Sequence, residues 1–352
     1  MNHAYTAADF TINPLMFYYE VTQACDLQCK HCRASAQETA AADELTHEQS
    51  LALIDQAAAF PRKPNICFTG GDPLKRADIL ELLKYAADKG MTVALTPSAT
   101  PLATYEAFRK AKDAGVQALG VSLDGADAET HDAFRGWSGS FSKTMEMLEN
   151  AKILGLPVQI NTSVTKRNFH QIDAIAELLK ERGIAMWSVF FLVPVGRGAE
   201  ETRISPEDYL TAFEKLWHHA QTKPFGVKTT EAPHYRRYVL EHGGDPLAHG
   251  YRAPLGITDG RGIMFVGHNG VILPAGFLPV ECGRFPEVSV VSTYQTHPVF
   301  QALQNPDNYR GICGACSSRF VCGGSRARAY AVTGDYLGPE PDCVFEQSEH
   351  EA

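Results

Sequence analysis

Short apolar runs alternate with amphipathic segments along the first two-thirds of the chain. Continuous apolar runs predict buried strands, and apolar residues recurring every three or four positions predict helices. The predicted strands cover residues 16–22, 65–69, 91–96, 117–124, 157–164 and 185–193. The predicted helices cover residues 46–60, 77–89, 101–114, 141–154, 168–182 and 205–222. This order predicts six consecutive β-α units.

Local signals mark several of the predicted helix ends. Thr46 and Gln49 have the spacing of a capping box, and Ser205 followed by Pro206 is typical of a helix start. Consecutive β-α units form either a parallel barrel or an open doubly wound sheet. The strands are apolar until their C-terminal ends, which favours a partial barrel with its site at that end.

The pattern changes after residue 222, where glycine and proline become frequent and helical periodicity becomes sparse. The apolar runs 263–266 and 271–273 flank Asn269 and Gly270, which is a hairpin signal. We therefore predict a partial (β/α)6 TIM-like barrel over residues 14–222, a linker over 223–254 and a small cysteine-rich domain over 255–346. The fold class is α/β.

Composition and charge exclude some kinds of function. Of 352 residues, 44% are apolar and 21% are charged, which is ordinary for a folded protein with a core. The net charge of −9 argues against sequence-independent binding of nucleic acid, which needs a basic surface. The first twenty residues resemble no secretion signal, and no apolar run is long enough to span a membrane. We expect a cytoplasmic protein.

Three cysteines follow the first predicted strand in a C-x3-C-x2-C pattern: Cys25, Cys29 and Cys32. Three thiolates in one loop can bind three irons of a [4Fe–4S] cluster and leave the fourth iron open to another ligand. One alternative is a set of unrelated buried thiols. A zinc site needs a fourth ligand, and His31 is poorly placed beside Cys32 to provide it.

This cysteine pattern resembles that of the radical S-adenosylmethionine (radical SAM) superfamily, and residues 14–195 are similar to its core in order and spacing. The resemblance implies that the open iron binds the amino and carboxylate groups of S-adenosyl-L-methionine (SAM). Residues 68–73 resemble the family's GGE motif, which binds the methionine amino group. Gly70, Gly71 and Asp72 are then SAM-binding residues, with aspartate where glutamate is commoner.

The resemblance implies further SAM contacts at the ends of later strands. Ser98, Ser122 and Asp124 match positions that line the ribose and methionine, and Asn161 is a candidate for the ribose. Arg135 is a candidate partner of the SAM carboxylate. Ordinary structural roles remain alternatives: a helix-capping loop for Ser122 and Asp124, and a surface ion pair for Arg135. No residue is assigned as an acid or base, because the cofactor performs the difficult step.

Four further cysteines lie near the C-terminus: Cys313, Cys316, Cys322 and Cys343. They resemble the SPASM extension of radical SAM enzymes and imply one fully ligated auxiliary [4Fe–4S] cluster, although a four-cysteine zinc site is an alternative. A full SPASM domain has a second auxiliary cluster, but Ala275 and Ser325 occupy positions where its cysteines are expected. Cys282 stays unassigned, and Cys67 is expected to be a small core residue.

Several stretches resemble the haem synthases of the alternative, sirohaem-dependent pathway. They are residues 29–36, 68–73, 131–136, 159–162, 191–197 and 326–335. The resemblance implies a radical SAM oxidoreductase or lyase that decarboxylates porphyrin propionates to vinyls, with Arg197, Arg326 and Arg328 as candidates for the carboxylates. It also implies an electron donor such as flavodoxin or ferredoxin. Those synthases usually have cysteine where this chain has Ser325, which leaves another substrate open.

Other functions remain open from the sequence. A ribosomal peptide maturase would form a cross-link, thioether or epimer, and such enzymes often carry an N-terminal peptide-recognition domain. The roughly fifteen residues before the first strand are too few for such a domain. A non-catalytic iron–sulfur redox or sensor protein is a further alternative, against which Gly70 and Gly71 count. A structural zinc module is the last.

Overall fold

A computed structural model describes residue 6, residues 8–245 and residues 256–345. The strands are β1 (Met16–Glu20), β2 (Asn65–Thr69), β3 (Thr92–Leu95), β4 (Val116–Ser122), β5 (Val158–Val164), β6 (Met186–Phe191), β7 (Gly226–Thr230), β8 (Ile263–Val266) and β9 (Ile272–Leu273). The first eight helices are α1 (His47–Ala58), α2 (Ile79–Asp88), α3 (Tyr105–Asp113), α4 (Ala128–Arg135), α5 (Ser140–Leu154), α6 (Ile172–Lys180), α7 (Pro206–Thr222) and α8 (His234–Glu241). The later helices are α9 (Val290–Thr296), α10 (Pro298–Gln304), α11 (Gly311–Ala315) and α12 (Arg326–Thr333).

All these strands belong to one sheet, in the order β7-β6-β5-β4-β3-β2-β1-β8-β9. Strands β1 to β7 are parallel to their neighbours, β8 is parallel to β1, and β9 pairs with β8 in the antiparallel sense. Parallel strands place their C-terminal ends at one edge of the sheet, which is where such folds hold their sites. The α/β prediction is confirmed, and in the described part of the chain the sheet has two edges, β7 and β9, so these strands do not close into a full barrel.

The predicted linker needs correction between residues 226 and 241. This segment forms β7, which pairs with β6, and then α8. The sequence GVKTT of β7 has one large apolar residue, Val227, so it lacks the apolar run that marked the other strands. The rest of the linker from residue 246 to 254 lies outside the described residues. The division into two domains stays a prediction.

The predicted hairpin is confirmed, but it is part of the main sheet rather than of a separate one. Residues Met16–Tyr19 of β1 pair with Ile263–Val266 of β8. The core lies between the sheet and the outer helices and takes one face of each strand: Leu119 and Val121 of β4 are buried in it. The opposite face of β4 presents Gly120 and Ser122, and side chains alternate between the two faces along a strand. The inner face of the sheet is therefore left for a ligand.

Among the described residues, no helix is long and apolar enough to cross a membrane.

Candidate active site

The three N-terminal cysteines lie together in the loop after β1. Cys25 and Cys29 are buried and Cys32 is half-buried. Burial raises the pKa of Cys25 and of Cys29, and each is raised further by the charge of neighbouring thiols of the same set. Backbone N–H groups donate to two of the sulfurs, from Leu27 to Cys25 at 3.4 Å and from Ala36 to Cys32 at 3.4 Å. Close thiols with N–H donors fit a cluster that binds them as thiolates.

Arg197, in the segment after β6, stabilises this loop with hydrogen bonds. Its Nε donates to the Cys29 carbonyl oxygen at 2.9 Å, and its Nη1 donates to that of Ala36 at 2.8 Å. The preceding Gly196 has φ +55°, and a Cβ there would lie 2.4 Å from the Arg33 carbonyl oxygen. The structure therefore uses Nε and Nη1 of Arg197 to hold the cysteine loop, and a contact of this residue with a porphyrin carboxylate stays a prediction. No local sequence signal connects residues so far apart.

Gly70 and Gly71 lie where the end of β2 contacts the start of the cysteine loop. The Gly71 N–H donates to the Thr22 carbonyl oxygen at 2.8 Å. A Cβ on Gly71 would lie 2.4 Å from the carbonyl oxygen of Ala24, a contact that no side chain tolerates. The glycine pair is thus required for the position of the loop, whatever ligand it also contacts.

Asp72 and Ser98 join the ends of β2 and β3 to the cysteine loop. Asp72 is fully buried, and its carboxylate accepts hydrogen bonds from the Ser98 N–H at 3.3 Å and the Thr100 hydroxyl at 2.7 Å. Burial raises the pKa of Asp72. The Ser98 hydroxyl donates to the Gly71 carbonyl oxygen at 2.8 Å and lies 3.5 Å from the Cys25 sulfur. The SAM contacts of Asp72 and Ser98 stay predictions.

Asp124 and Arg135 form an ion pair beside the same cysteines. An Arg135 guanidinium nitrogen lies 2.5 Å from Asp124 Oδ2, and another lies 3.7 Å from the Cys29 sulfur. Burial raises the pKa of Asp124, but the charges of Arg135 and His31, with smaller contributions from His131 and the Ser163 N–H, together hold that pKa below its usual value. His31 Nε2 is 3.7 Å from Asp124, and burial lowers the pKa of His31 to about 4. Because the pair is buried, the surface ion pair considered for Arg135 is wrong.

A row of inward side chains crosses the sheet near the C-terminal ends of the strands. Ser122 of β4 pairs in register with Asn161 of β5, Asn161 with Ser188 of β6, and Ser188 with Lys228 of β7. Asn161 accepts a hydrogen bond from the Gln159 amide at 2.8 Å. The row brings the predicted residues Ser122 and Asn161 together on the face left for a ligand.

The sequence prediction missed Lys228 because β7 was not recognised. Val227 packs in the core, so the next residue along the strand faces the interior. Burial, together with the charge of Arg236, lowers the pKa of Lys228 to about 8. The charge of Cys67, an inward residue of β2, also affects Lys228, which places the two on the same interior surface.

The four C-terminal cysteines line one cavity of about 210 Å³. Three of their sulfurs accept backbone hydrogen bonds, from Glu340 to Cys313 at 3.2 Å, from Ser318 to Cys316 at 3.3 Å and from Gly324 to Cys322 at 3.4 Å. Burial raises the pKa of Cys322 to about 12, so a buried free thiolate would be costly there. A cavity lined by four cysteines, three of which accept N–H hydrogen bonds, fits a fully ligated cluster.

Ser325 and Arg328 belong to a buried polar network above this cavity. Ser325 is the N-cap of α12, and its hydroxyl donates to the Glu231 carboxylate. Arg328 is fully buried and pairs with Glu340 at 2.9 Å and with Asp342 at 3.1 Å. Arg326 is fully buried as well. The assignment of Arg326 and Arg328 to porphyrin carboxylates is therefore wrong, because neither guanidinium faces an open surface.

The two remaining cysteines are single buried thiols. Cys67 lies 3.3 Å from the Thr96 hydroxyl, and Cys282 is 3.5 Å from the Val280 carbonyl oxygen and packs in the main core.

Comparison with known proteins identifies the class to which this site belongs. The family model described as the radical SAM superfamily matches residues 19–194. The chain is 40% identical over 339 residues to the AdoMet-dependent heme synthase of Methanosarcina barkeri (strain Fusaro / DSM 804), covering 94% of this chain and 97% of that protein. It is 37% identical over 338 residues to the AdoMet-dependent heme synthase of Nitratidesulfovibrio vulgaris, covering 93% and 91%. The structure of Streptococcus suis SuiB bound to S-adenosylmethionine has a TM-score of 0.71 at 16% identity, covering 94% of this chain and 77% of that chain.

The chain therefore belongs to the radical SAM superfamily, and it is an enzyme that uses SAM and a [4Fe–4S] cluster. Both of these relatives, which the chain matches over almost their whole length, are named heme synthases.

Proposed function

We propose that this enzyme removes carbon dioxide from propionate side chains of a tetrapyrrole, iron-coproporphyrin III, and leaves vinyl groups. The observation that carries the proposal is the 40% identity to a heme synthase over 94% of the chain, a share that extends far beyond the radical SAM core at residues 19–194. A peptide maturase shares the fold, but nothing in the described geometry favours a peptide.

The chemistry of the side chain defines what the protein has to provide. The cluster and SAM supply, when bound, a 5′-deoxyadenosyl radical that removes one hydrogen atom from the substrate. Hydrogen loss next to the carboxyl-bearing carbon leaves a carbon radical. This radical becomes an alkene when it loses carbon dioxide and one electron. The chain must therefore orient the propionate, exclude water and provide an acceptor for that electron.

We assign Cys25, Cys29 and Cys32 to the cluster that binds SAM. Gly70 and Gly71 position their loop, and Asp72, Ser98, Asp124 and Arg135 surround it within hydrogen-bonded contacts. Ser122 and Asn161, on the interior row, are our candidates for the SAM ribose.

We assign Cys313, Cys316, Cys322 and Cys343 to one auxiliary [4Fe–4S] cluster that accepts the electron. Among the described residues, no three His, Cys, Asp or Glu side chains are spaced for a single metal ion. In a four-iron cluster each thiolate binds a different iron, so the sulfurs are spaced more widely than around one zinc ion. The cavity that the four cysteines share therefore favours a cluster over zinc.

We further propose that Lys228 holds a carboxylate of the substrate. The Lys228 side chain lies on the interior row with Asn161 and Ser188, and Arg236 adds a second positive charge nearby. A carboxylate in this interior would form a charge-assisted hydrogen bond with the ammonium group.

Flavodoxin or ferredoxin is the proposed electron donor. The nine unpaired cysteines suit the reducing cytoplasm, which is the proposed location.

One experiment tests the substrate. Anaerobically purified protein, SAM and dithionite are incubated with iron-coproporphyrin III, and in parallel with peptides encoded beside the gene. Mass spectrometry should detect loss of carbon dioxide and two hydrogen atoms from each reacting side chain, together with 5′-deoxyadenosine. The Cys29→Ala variant is the control and should form neither product. Modified peptide with unchanged porphyrin would favour the maturase, and an absence of 5′-deoxyadenosine under all conditions would favour a non-catalytic protein.

A further inference from the structure

Each cysteine site has at least one arginine near a sulfur. At the C-terminal site Arg237 Nη1 lies 3.7 Å from the Cys316 sulfur, but Arg237 is paired with Glu241 at 2.6 Å. An Arg135 nitrogen lies 3.7 Å from the Cys29 sulfur, and Arg326 Nη2 lies 3.5 Å from the Cys313 sulfur. The reduction potential of an iron–sulfur cluster depends on hydrogen bonds to the sulfurs, on net charge and on solvent exposure. A positive charge at a ligand sulfur stabilises the reduced cluster, which carries one more negative charge, and so raises its potential. Arg135 and Arg326 would raise the reduction potentials of their clusters to a similar extent if their surroundings were alike.

The charge of Arg135 is neutralised by a carboxylate. Asp124 is fully buried and lies 2.5 Å from the Arg135 guanidinium, so the pair has no net charge. The field of such a pair falls off quickly with distance, and the potential of the barrel cluster is raised little. A low potential is what one-electron cleavage of a sulfonium requires.

The charge of Arg326 is surrounded differently. The side chain is fully buried, and its other hydrogen bonds go to the carbonyl oxygens of Gly324, Tyr336 and Gly338. Carbonyl dipoles orient toward a positive charge but do not cancel it, and a buried charge is poorly screened. Two buried carboxyl groups face Arg326. Glu340, whose charge also reaches Cys313, is itself paired with Arg328 at 2.9 Å, and burial raises the pKa of Asp259 and so favours its neutral form.

The backbone conformation at Gly324 allows Arg326 to reach the Cys313 sulfur. Gly324 has φ +65°, and a Cβ there would lie 2.4 Å from Arg326 Nη2 and 3.3 Å from the Cys313 sulfur. Cys313 also accepts the Glu340 N–H at 3.2 Å, so two donors converge on this one thiol. The contact is thus built from a glycine, a buried guanidinium and a backbone amide.

We propose that Arg326 raises the reduction potential of the auxiliary cluster above that of the barrel cluster, whose own arginine is neutralised by Asp124. The electron released when the substrate radical loses carbon dioxide then reduces the oxidised auxiliary cluster by one electron, and it does not return to the barrel cluster. This inference rests on the auxiliary cluster of the proposed function.

The test measures a potential rather than turnover. In a Cys25→Ala, Cys29→Ala, Cys32→Ala background the auxiliary cluster is the one left, and its midpoint potential is obtained by redox titration followed by electron paramagnetic resonance. Arg326→Gln should lower the potential, and Arg326→Lys, which keeps the charge, should stay near the parental value. Arg319→Gln is the matched control: Arg319 lines the same cavity, but its guanidinium donates to Asp307 and to the Cys316 carbonyl oxygen.

The outcomes separate the inference from the proposed function. A background protein without about four irons would refute the auxiliary cluster, and with it the proposed electron acceptor. A cluster whose potential is unchanged by Arg326→Gln, or is lowered as much by Arg319→Gln, would overturn the inference alone.

If Arg326→Gln does not bind a cluster, a second measurement tests the inference about the two reduction potentials. Asp124→Asn leaves Arg135 unneutralised, so the potential of the barrel cluster, measured without SAM, should rise. A barrel cluster with an unchanged potential in Asp124→Asn would also overturn the inference.

Discussion

The buried pair of Asp124 and Arg135 illustrates why charged residues in this chain resist simple assignment. Both side chains lie beside Cys29, and a charge removed from water is tolerated only when another group compensates it. Such a pair contributes little net stability compared with apolar residues, but the loss of one partner leaves the other charge uncompensated. The arrangement therefore makes Asp124 contribute to the stability of the barrel, independently of any contact with SAM.

We predict that Asp124→Asn lowers the free energy of unfolding by about 3 to 5 kcal/mol, because Arg135 stays charged and buried. The measurement is urea denaturation followed by circular dichroism. Asp127→Asn is the control, since Asp127 is an exposed N-cap and asparagine caps a helix about as well as aspartate, so the free energy of unfolding should change by less than about 1 kcal/mol. Equal effects of the two changes would contradict a buried pair.

Because of the same pair, the stability of the folded protein should depend on pH in a defined direction. The folded pKa of Asp124 is below its unfolded value, so the stabilisation is present above the unfolded pKa, about 4, and disappears as the pH falls through the folded pKa. The Asn variant should lack this acid-sensitive contribution.

The pKa of Lys228 leads to a prediction about substrate binding. Lys228→Met removes the charge but keeps an unbranched side chain, and the KM for iron-coproporphyrin III should rise about tenfold, which corresponds to about 1.4 kcal/mol. In the parent enzyme the KM should also rise as the pH increases past about 8, because the ammonium group loses its proton. Lys228→Arg should bind substrate without this pH dependence. A parental KM in Lys228→Met would refute the contact.

At the level of elements, regular patterns were predictable and long-range contacts were not. The sequence-based boundaries of β2 and β8 match the structure, and the Thr46 capping box is present, because apolar runs and caps are local signals. Strand β7 was missed since its sequence is mostly polar. The contacts of Arg197 with the cysteine loop were not foreseen because its partners lie 161 and 168 residues away in the chain.

In the candidate site too, local patterns were predictable from the sequence and long-range contacts were not. The clustering of each cysteine set was foreseeable from spacing, and the register of Ser122 with Asn161 follows from the strand order. The partner of Arg135 was not foreseeable, because it depends on how α4 packs against the loop after β1. Helix α4 was itself absent from the predicted elements.

The contact between β2 and the cysteine loop supplies a prediction at the element scale. In Gly71→Ala, the new Cβ would meet the Ala24 carbonyl oxygen at 2.4 Å, and two backbone segments cannot both keep their positions. We expect a loss of about 1 to 3 kcal/mol in stability and failure to assemble the barrel cluster. Iron analysis after anaerobic reconstitution should find about four irons rather than about eight.

Gly198→Ala is the matched control for that change. Gly198 lies near the same loop, but its nearest neighbours would be 3.4 Å from a new Cβ, an ordinary contact distance. This variant should keep the parental iron content. A full iron content in Gly71→Ala would show that the loop can move away without losing its cluster.

At the scale of the whole molecule, two of the contacts in the described residues show how the C-terminal region is attached to the barrel. Strand β8 pairs with β1, and His268 next to it lies 2.8 Å from Glu20 at the end of β1. On the other side, the hydroxyl of Ser325 donates to Glu231, directly after β7. The sheet thus continues into the C-terminal region, while helices α11 and α12 depend on the cysteine cavity and the buried arginines for their position.

This division predicts the effect of replacing Cys322. Cluster binding contributes folding energy to a region with few regular elements, so Cys322→Ala should make the segment around residues 311–345 sensitive to protease. The hairpin of β8 and β9 should stay protected, because it is hydrogen-bonded into the main sheet. Cleavage of SAM without product should survive in part, since the barrel cysteines are separate. Decarboxylation of the proposed porphyrin substrate should fall, because the proposed electron acceptor is lost.

Limited proteolysis with mass spectrometry, and the ratio of 5′-deoxyadenosine to decarboxylated porphyrin, measure the two effects independently. Cys282→Ala is the matched control, because Cys282 is a single buried thiol in the core, and it should change neither readout strongly. Parental turnover in Cys322→Ala would refute both the electron-accepting and the stabilising role of the auxiliary cluster. Complete loss of SAM cleavage with an intact barrel cluster would instead mean that the attachments through β8 and Glu231 transmit the disturbance into the barrel, so that the two regions act as a single unit.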